Sequence, residues 1–157
     1  PELIKTFDRL LPDYWSRANP VDIVGEPDNN LMTTIMEELL KWDGCDAVIN
    51  LGVLGRALFF EAMAEAAQRA DPSYTKEFFD KAKAYMHTFE QEYLKLIARL
   101  METYGKPVYG VSLQTDAKSQ TVYNIEGAVH KPVFYQTPER AVRACARMYE
   151  YGRFLSR

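Results

Sequence analysis

Apolar and polar positions in the first third of the chain follow two patterns. Short apolar runs at Val21–Val24 and Ala47–Leu51 flank a segment, Asn30–Trp42, in which apolar residues recur every three or four positions. The runs are typical of strands and the flanked segment is typical of an amphipathic helix, so the order predicts two parallel strands joined by a helix. Ligands bind at the carboxyl ends of such strands, which predicts that Gly25 and the turn Gly52–Gly55 lie at the working edge of a sheet.

The rest of the pattern predicts alternating helices and strands. Leu3–Leu11 has the spacing of one helical face and is stopped by Pro12. Further helices are predicted at Ala57–Ala70, from Ser73 or Tyr74 to Tyr104, and from Thr137 to about Phe154, and further strands at Val108–Leu113 and Val133–Tyr135. Residues 121–125 fit either a strand or a short crossover helix. We expect an α/β fold of three layers, flavodoxin-like, with a mainly parallel sheet of about four or five strands.

The longest predicted helix carries the widest apolar stripe. The stripe runs through Phe78, Ala82, Tyr85, Phe89, Tyr93, Leu96 and Leu100, with a second row at Phe79, Met86, Ile97 and Met101. Thirty helical residues span about 45 Å, which is more than a domain of this size needs. The helix therefore either packs along its whole length on the sheet or projects and pairs with a partner.

Composition narrows the class of protein. The 157 residues suffice for one domain with a hydrophobic core, and the formal charge of −3 argues against a nucleic-acid surface, which needs clustered Lys and Arg. No apolar run approaches the roughly 18 residues of a membrane span, and Cys45 and Cys145 are too isolated for a disulfide framework or a zinc site. We expect a cytoplasmic protein that binds neither nucleic acid nor membrane. Because the chain starts at Pro1, we also expect a piece of something longer.

Few side chains stand out as candidates for catalysis. His87 falls in the long helix and His130 in a loop, and neither has the Ser/Gly-rich surroundings of a phosphate-accepting histidine or an evident Ser or Cys nucleophile. Glu90 and Glu92 have the spacing of a solvated helix surface. No GxxxxGK[ST] or GxGxxG motif is present. Asp22 lies in the first predicted strand, where burial requires a hydrogen-bond partner or a ligand, and both readings stay open.

Three strings resemble one enzyme family. They are NPVDIVG at 19–25, DAVINLGVLG at 46–55 and PVFYQTPERAVRACARMYEYGRFL at 132–155. Together they resemble the last flavodoxin-like CoA-ligase domain of the NDP-forming acyl-CoA synthetases, which include ADP-forming acetyl-CoA synthetase and, more distantly, succinyl-CoA synthetase. The resemblance covers roughly 11–51 and 106–155. Between them, the stretch at about 57–104 departs from the short crossover of the family and is interpreted as a helical insertion.

The resemblance implies a function. Enzymes of this family form acyl-CoA from a carboxylic acid, CoA and ATP through a phosphohistidine. It implies that residues 1–157 form a single CoA-ligase-type domain that lacks its first strand and helix, does not carry the phosphohistidine and is inactive alone. No catalytic residue and no metal ligand is assigned. The residues implied to face the substrate and the phosphohistidine loop are Asn19, Pro20, Asp22, Gly25, Asn50, Gly52 and Gly55.

Cofactors and partners follow from the same resemblance. CoA, ATP or ADP, and Mg²⁺ are expected in the complete enzyme and none on this domain alone. The expected partners are the CoA-binding, phosphohistidine and ATP-grasp domains or subunits, and a homo-oligomer. An alternative is a non-catalytic oligomerisation or assembly module of the same fold that uses the helices of 57–104. A free-standing flavin or nucleotide binder is disfavoured, because no phosphate-binding loop follows a first strand.

Overall fold

A computed structural model describes residues 2–24, 29–71, 73–112 and 121–157. Within them the helices are α1 (Glu2–Leu10), α2 (Asn29–Lys41), α3 (Arg56–Ala70), α4 (Lys76–Tyr104) and α5 (Pro138–Leu155). The strands are β1 (Val48–Leu51), β2 (Val108–Val111) and β3 (Val133–Tyr135). The helices and these strands agree with the predicted elements to within a few residues at each end. Contacts divide the chain into two compact units, Pro1–Val48 and Ile49–Arg157.

The first unit is built on helix packing. α1 packs against α2, and Phe7, Leu11, Trp15 and Ile35 form the buried cluster between them. The rings of Phe7 and Trp15 meet edge to face at 5.8 Å between centroids. The Trp15 indole N–H donates to Asp8 Oδ1 over 2.8 Å, so its polar end is satisfied while its body is buried.

The predicted first strand is wrong. Val21, Ile23 and Val24 are partly buried against the helical cluster of this unit, and residues 21–24 belong to no strand. Asp22 Oδ1 accepts a hydrogen bond from the Val24 N–H at 2.8 Å, and Val24 has a φ of 58°. A left-handed residue cannot continue an extended strand. The apolar run is thus buried by helices, and the predicted strand–helix–strand unit does not form among the described residues.

The second unit contains an open, parallel three-stranded sheet in the order β1-β2-β3. β2 and β3 pair in register from Tyr109–Val133 to Val111–Tyr135. Three strands in the described part of the chain are fewer than the four or five predicted. Residues 121–125, left open by the sequence, make one antiparallel bridge from Val122 to Val133. The architecture is α/β and compatible with a flavodoxin-like fold. The three-layer arrangement and the single-domain organisation stay predictions.

Gly110 makes the pairing of β2 and β3 possible. It lies opposite Phe134, and a Cβ atom on Gly110 would come within 2.0 Å of the Phe134 ring. The ring is nearly fully buried and meets Tyr93 and Tyr123 edge-on. The glycine therefore leaves the space in which one aromatic side chain packs on the sheet.

α4 is 29 residues long, and only its second half is buried. Its buried residues are Glu90, Tyr93, Leu94, Ile97, Ala98, Leu100 and Met101. Phe78 and Tyr85 of the predicted stripe are instead 54% and 61% exposed. The first half of α4 runs beside α3, and Lys83 pairs with Glu61 across the two helices at 2.6 Å. The helix thus does not pack on the sheet along its whole length.

The ends of the helices follow local sequence chemistry. Thr75 and Thr137 accept backbone N–H bonds at the starts of α4 and α5, and Pro138 occupies the first turn of α5. Gly105 ends α4 in a left-handed conformation with φ 63°. α5 packs on β2 and β3 through a fully buried Ala141.

Candidate functional site

The turn Gly52–Arg56, which we call the β1–α3 turn, leads from the end of β1 into α3. The Gly52 N–H donates to the Val111 carbonyl oxygen at 3.0 Å, and Arg56 Nε donates back to the Gly52 carbonyl oxygen at 3.0 Å. Gly52 and Gly55 have φ values of 76° and 92°. Glycine adopts this left-handed region without steric cost. The two glycines therefore turn the chain sharply at the carboxyl end of the sheet.

A remote carboxylate secures this turn. Gly55 is the N-cap of α3 and supplies no side-chain cap. Its N–H instead donates to Glu90 Oε1 on α4 at 2.9 Å, and Glu90 is 8% exposed. Burying a carboxylate is costly unless hydrogen bonds satisfy it, and the positive end of the α3 dipole adds a further favourable contribution. Glu90 thus ties the turn to the buried half of α4.

The end of β2 closes the turn on its other side. Ser112 is 6% exposed, and its hydroxyl donates to the Leu54 carbonyl oxygen at 3.4 Å. Its backbone N–H donates to the Tyr135 carbonyl oxygen at 2.9 Å, which continues the pairing of β2 with β3. The carboxyl ends of β1 and β2 consequently lie side by side, as expected for neighbouring parallel strands.

Two buried polar atoms of the second unit lack a hydrogen-bond partner among the described residues. They are Asn50 Oδ1, two positions before the turn, and the Tyr93 hydroxyl, three positions after Glu90. Burial raises the pKa of Tyr93, and the positive charge of Arg56 opposes that shift, so the hydroxyl lies within electrostatic reach of the turn. Buried polar groups without partners are uncommon in folded proteins. These atoms are therefore candidates for ligand contact.

Aromatic rings pack together near the buried half of α4. Tyr93 and Tyr123 both contact Phe134, with centroids 6.4 Å and 5.7 Å apart. Burial raises the pKa of Tyr123, and the negative charge of Glu90 raises it further. The carboxylate of Glu90 thus accepts from the Gly55 amide, and its charge also acts on the Tyr123 hydroxyl.

The predicted substrate-facing residues fall into both units. Asn50, Gly52 and Gly55 belong to the second unit and lie at the β1–α3 turn or just before it. Asn19 and Pro20, joined by a cis peptide bond, are exposed and belong to the first unit. Asp22 belongs to the first unit as well. The role predicted for all seven residues stays a prediction.

Asp22 makes a local hydrogen bond, and its contact with a ligand stays a prediction. It is exposed and accepts from the Val24 N–H only two residues away. Gly25 lies outside the described residues. Nothing in the geometry of Asp22 requires a ligand, because the turn alone satisfies one carboxylate oxygen.

The two histidines show no catalytic arrangement. His87 is exposed on α4, and His130 is exposed with its backbone N–H directed at Glu102 Oε1, 3.4 Å away. In the part of the chain that the structure describes, no three His, Cys, Asp or Glu side chains are grouped to hold a metal ion. No helix of that part is long and apolar enough to span a membrane.

The sequence pattern did not identify Glu90 as a residue of the candidate site. It predicted a solvated Glu90, which is wrong, because Glu90 is buried. A signal was available: Tyr93, Leu94 and Ile97 follow it at three, four and seven positions, the spacing of one helical face. Arg56 and Ser112 carried no such signal, since their roles depend on contacts between distant elements.

Comparison with known proteins yields a distant, partial similarity. No family model and no solved structure matches the chain. A curated relative is the 4-hydroxybutyrate–CoA ligase (ADP-forming) of Nitrosopumilus maritimus strain SCM1, 31% identical over 72 residues. The match covers 46% of this chain and 10% of the relative. The matched residues thus correspond to about a tenth of the length of a protein named as an ADP-forming CoA ligase.

Proposed function

We propose that this chain is part of an NDP-forming acyl-CoA synthetase, an enzyme that makes acyl-CoA from a carboxylic acid, CoA and ATP through a phosphohistidine. The observation that carries the proposal is the 31% identity over 72 residues to an ADP-forming CoA ligase. In this role the chain contributes turns at the edge of the active site and surface for packing against the other domains. The phosphohistidine and the binding of CoA, ATP or ADP, and Mg²⁺ belong to those other domains.

The β1–α3 turn is the part of the chain that we assign to the substrate. Amide groups at a helix N-terminus favour anions, and Arg56 adds a positive charge at the same place. The unpartnered Tyr93 hydroxyl lies within reach of that charge. An acyl phosphate is an anion with several acceptor oxygens, and phosphoryl transfer depends on positioning and on charge stabilisation. The charge of Arg56 and the unpartnered Tyr93 hydroxyl support the assignment of the turn to such a group.

A thioester assay tests the proposal. We expect the isolated chain to form no acyl-CoA from acid, ATP and CoA, and the complete synthetase that contains it to do so. In the complete enzyme, Arg56→Ala is expected to lower kcat/KM by about tenfold or more, because it removes a charge beside the substrate. Arg69→Ala, a substitution of an exposed arginine in the last turn of the same helix, is the control and is expected to have no effect. Thioester formation by the isolated chain would contradict the proposal.

A second candidate function is a non-catalytic assembly module. It is favoured by the exposed aromatic side chains at the free end of the α3–α4 pair, where Tyr74, Phe78 and Tyr85 are 48%, 54% and 61% exposed. Aromatic side chains are enriched in the cores of protein interfaces. Light scattering over a range of chain concentrations tests it. A double substitution of Phe78 and Tyr85 by Ser should dissociate an oligomer formed through these helices, and a monomer at every concentration would exclude this function.

A further inference from the structure

The second half of α5 extends beyond the sheet on which the helix packs. The 18 residues of α5 span about 27 Å, whereas the four residues of β2 span about 13 Å. Ala141, near the start of the helix, is fully buried where α5 packs on β2 and β3, and every residue at 146–157 is exposed. We call residues 146–157 the α5 overhang. The sheet therefore covers only the first half of this helix.

The helix face that packs on the sheet stays apolar along the α5 overhang. Met148, Gly152 and Leu155 follow Ala141 by seven, eleven and fourteen positions, which is the spacing of one helical face. Met148 and Leu155 are 58% and 65% exposed. Most of the stability of a helix in a protein comes from the packing of its apolar face. We therefore expect a partner on this exposed face.

We propose that the α5 overhang pairs with the α5 overhang of a second copy of this chain, with the two helices antiparallel. Met148 of each copy then packs against Gly152 of the other copy, so that the dimer is symmetric. Such a dimer goes beyond the proposed function and does not depend on it, because it concerns the assembly of the chain and not a reaction.

The glycine in the α5 overhang favours the antiparallel arrangement. A Cβ atom on Gly152 would meet no atom of the described residues within 4 Å, apart from its chain neighbours and the backbone of its own helix. A glycine inside a helix costs about 1 kcal/mol relative to alanine and usually has a packing reason. Interfaces pack best where large and small side chains alternate. Antiparallel helices set Met148 against Gly152 twice, whereas parallel helices would set Met148 against Met148.

The charges of α5 lie away from the proposed interface. Arg143, Glu150 and Arg157 recur every seven positions and lie roughly 140–180° around the helix from Met148. Arg147 pairs with Glu150 of its own copy at 2.9 Å. Exposed charges on the outer sides of two paired helices are screened by salt beyond about 8–10 Å. The interface is thus free of charge on both sides, and a second copy supplies a matching apolar face.

The exposed apolar area suffices for a weak dimer. Large apolar side chains on this face and along its borders are 56–68% exposed; they are Met148, Tyr149, Tyr151, Phe154 and Leu155. Since a large side chain buries on the order of 150–250 Å², together they present roughly 500 Å² on each copy. A pair would bury roughly 1,000 Å², which is at the lower limit for a specific interface. We therefore expect a dissociation constant of roughly 10–100 μM.

The test is sedimentation equilibrium of the chain at concentrations from about 1 μM to about 1 mM, with Met148→Glu and Met63→Glu as a matched pair. Met63 lies on α3 and is 52% exposed, so each substitution replaces an exposed methionine of a helix by a charged residue. We expect the unchanged chain and Met63→Glu to dimerise equally. Met148→Glu is expected to raise the dissociation constant by about tenfold or more, because each interface residue occurs twice in a symmetric dimer.

Three results would overturn the proposed dimer. A chain that stays monomeric at every concentration would leave the apolar face to another part of the protein. Dimerisation of Met148→Glu with the affinity of the unchanged chain would place the interface elsewhere. An equal loss of affinity in Met63→Glu would indicate pairing through the α3–α4 helices or a general effect of the added charge.

Gly152→Ala separates pairing from the stability of the helix. In a dilute, monomeric chain alanine favours the helix, as expected for an open position. In the dimer its added methyl group occupies the space of Met148. We therefore expect dimerisation about twofold to tenfold weaker than that of the unchanged chain, in the same sedimentation experiment. Equal or tighter dimerisation would contradict the close approach at Gly152.

Cross-linking tests the antiparallel arrangement and covers the case in which Met148→Glu does not fold, which far-UV circular dichroism would reveal. A mixture of Met148→Cys and ¹⁵N-labelled Gly152→Cys chains is oxidised in air, and mass spectrometry of the peptides identifies the linked positions. We expect disulfides between position 148 of one chain and position 152 of the other. The unchanged chain, with its partly buried Cys45 and Cys145, gives the background. Links mainly between two 148 positions, or a yield no higher than the background, would overturn the proposed dimer.

Discussion

The turn at Asp22–Val24 and the β1–α3 turn carry the same sequence signal and differ in structure. The first lies within a short apolar run and the second follows one, and each is close to a glycine. The first is held by a hydrogen bond between residues two positions apart and is largely open to solvent. The second is held by Glu90 and Ser112, which reach it from 35 and 58 positions away, and it is largely buried.

The difference between the two turns shows how buried polar groups come to lie at one of them and not at the other. The hydrogen bond at Asp22 is local, uses one carboxylate oxygen and involves no distant element. Contacts from distant elements instead bury polar groups around the β1–α3 turn, and two of those atoms have no partner within the described residues. Buried polar groups have large energetic effects, so substitutions at the two turns should differ strongly.

The largest effect is expected for Glu90→Ala. It leaves the buried Gly55 N–H without an acceptor and removes packed methylene groups, so we expect a loss of about 2–3 kcal/mol in the free energy of unfolding. Urea unfolding followed by far-UV circular dichroism measures it. Glu92→Ala, which breaks only an exposed ion pair, should change stability by less than about 0.5 kcal/mol. A comparable loss in both variants would mean that Glu90 has no special role in the turn.

The next largest effect on stability is expected for Gly55→Ala. Gly55 has a φ of 92°, and an alanine in the left-handed region costs about 1–2 kcal/mol. The control is Gly152→Ala within α5, where an added Cβ meets nothing within 4 Å and alanine favours the helix by up to about 1 kcal/mol. The same substitution should therefore have opposite signs at the two positions. Thermal unfolding of both variants checks this, and a stabilised Gly55→Ala would contradict the described turn.

Tyr93→Phe should have little or no cost near neutral pH, with a gain of at most about 1 kcal/mol, because the hydroxyl it removes has no partner among the described residues. The effect of Tyr93→Phe on stability should appear at alkaline pH. Burial raises the pKa of Tyr93, so the folded chain keeps the proton while the unfolded chain loses it above pH about 10. The stability of the unchanged chain then falls as the pH rises beyond that value. Tyr93→Phe should reduce this fall in urea unfolding at pH about 10.5, and an unchanged fall would contradict the burial of Tyr93.

The smallest effect is expected for Asp22→Ala in the exposed turn. It removes one solvent-accessible hydrogen bond, which should cost less than about 0.5 kcal/mol. Trp15 and Trp42 both belong to the first unit, so tryptophan fluorescence follows the unfolding of that unit alone. A loss as large as that of Glu90→Ala would show that Asp22 makes contacts beyond its own turn.

The sequence predicted the helices well and the sheet in part. Thr137 and Pro138 mark the start of α5, and Gly105 marks the end of α4, through chemistry confined to a few neighbouring residues. The strands β1, β2 and β3 were also found. The run Val21–Val24 was wrongly predicted to be a strand. A short apolar run indicates that its residues are buried, but it does not indicate whether a sheet or a helical cluster buries them.

The amino-acid sequence by itself determined the periodicity of five helices, the helix boundaries at Thr137 and Gly105 and the glycine turn after β1, since each depends on residues within one or two turns of chain. Only the tertiary structure decided that Glu90 is buried against Gly55, that Tyr93 keeps an unpartnered hydroxyl and that Asp22 makes a local turn. The physical reason is that burial and hydrogen-bond satisfaction depend on which distant elements come together. Local spacing does not specify that choice.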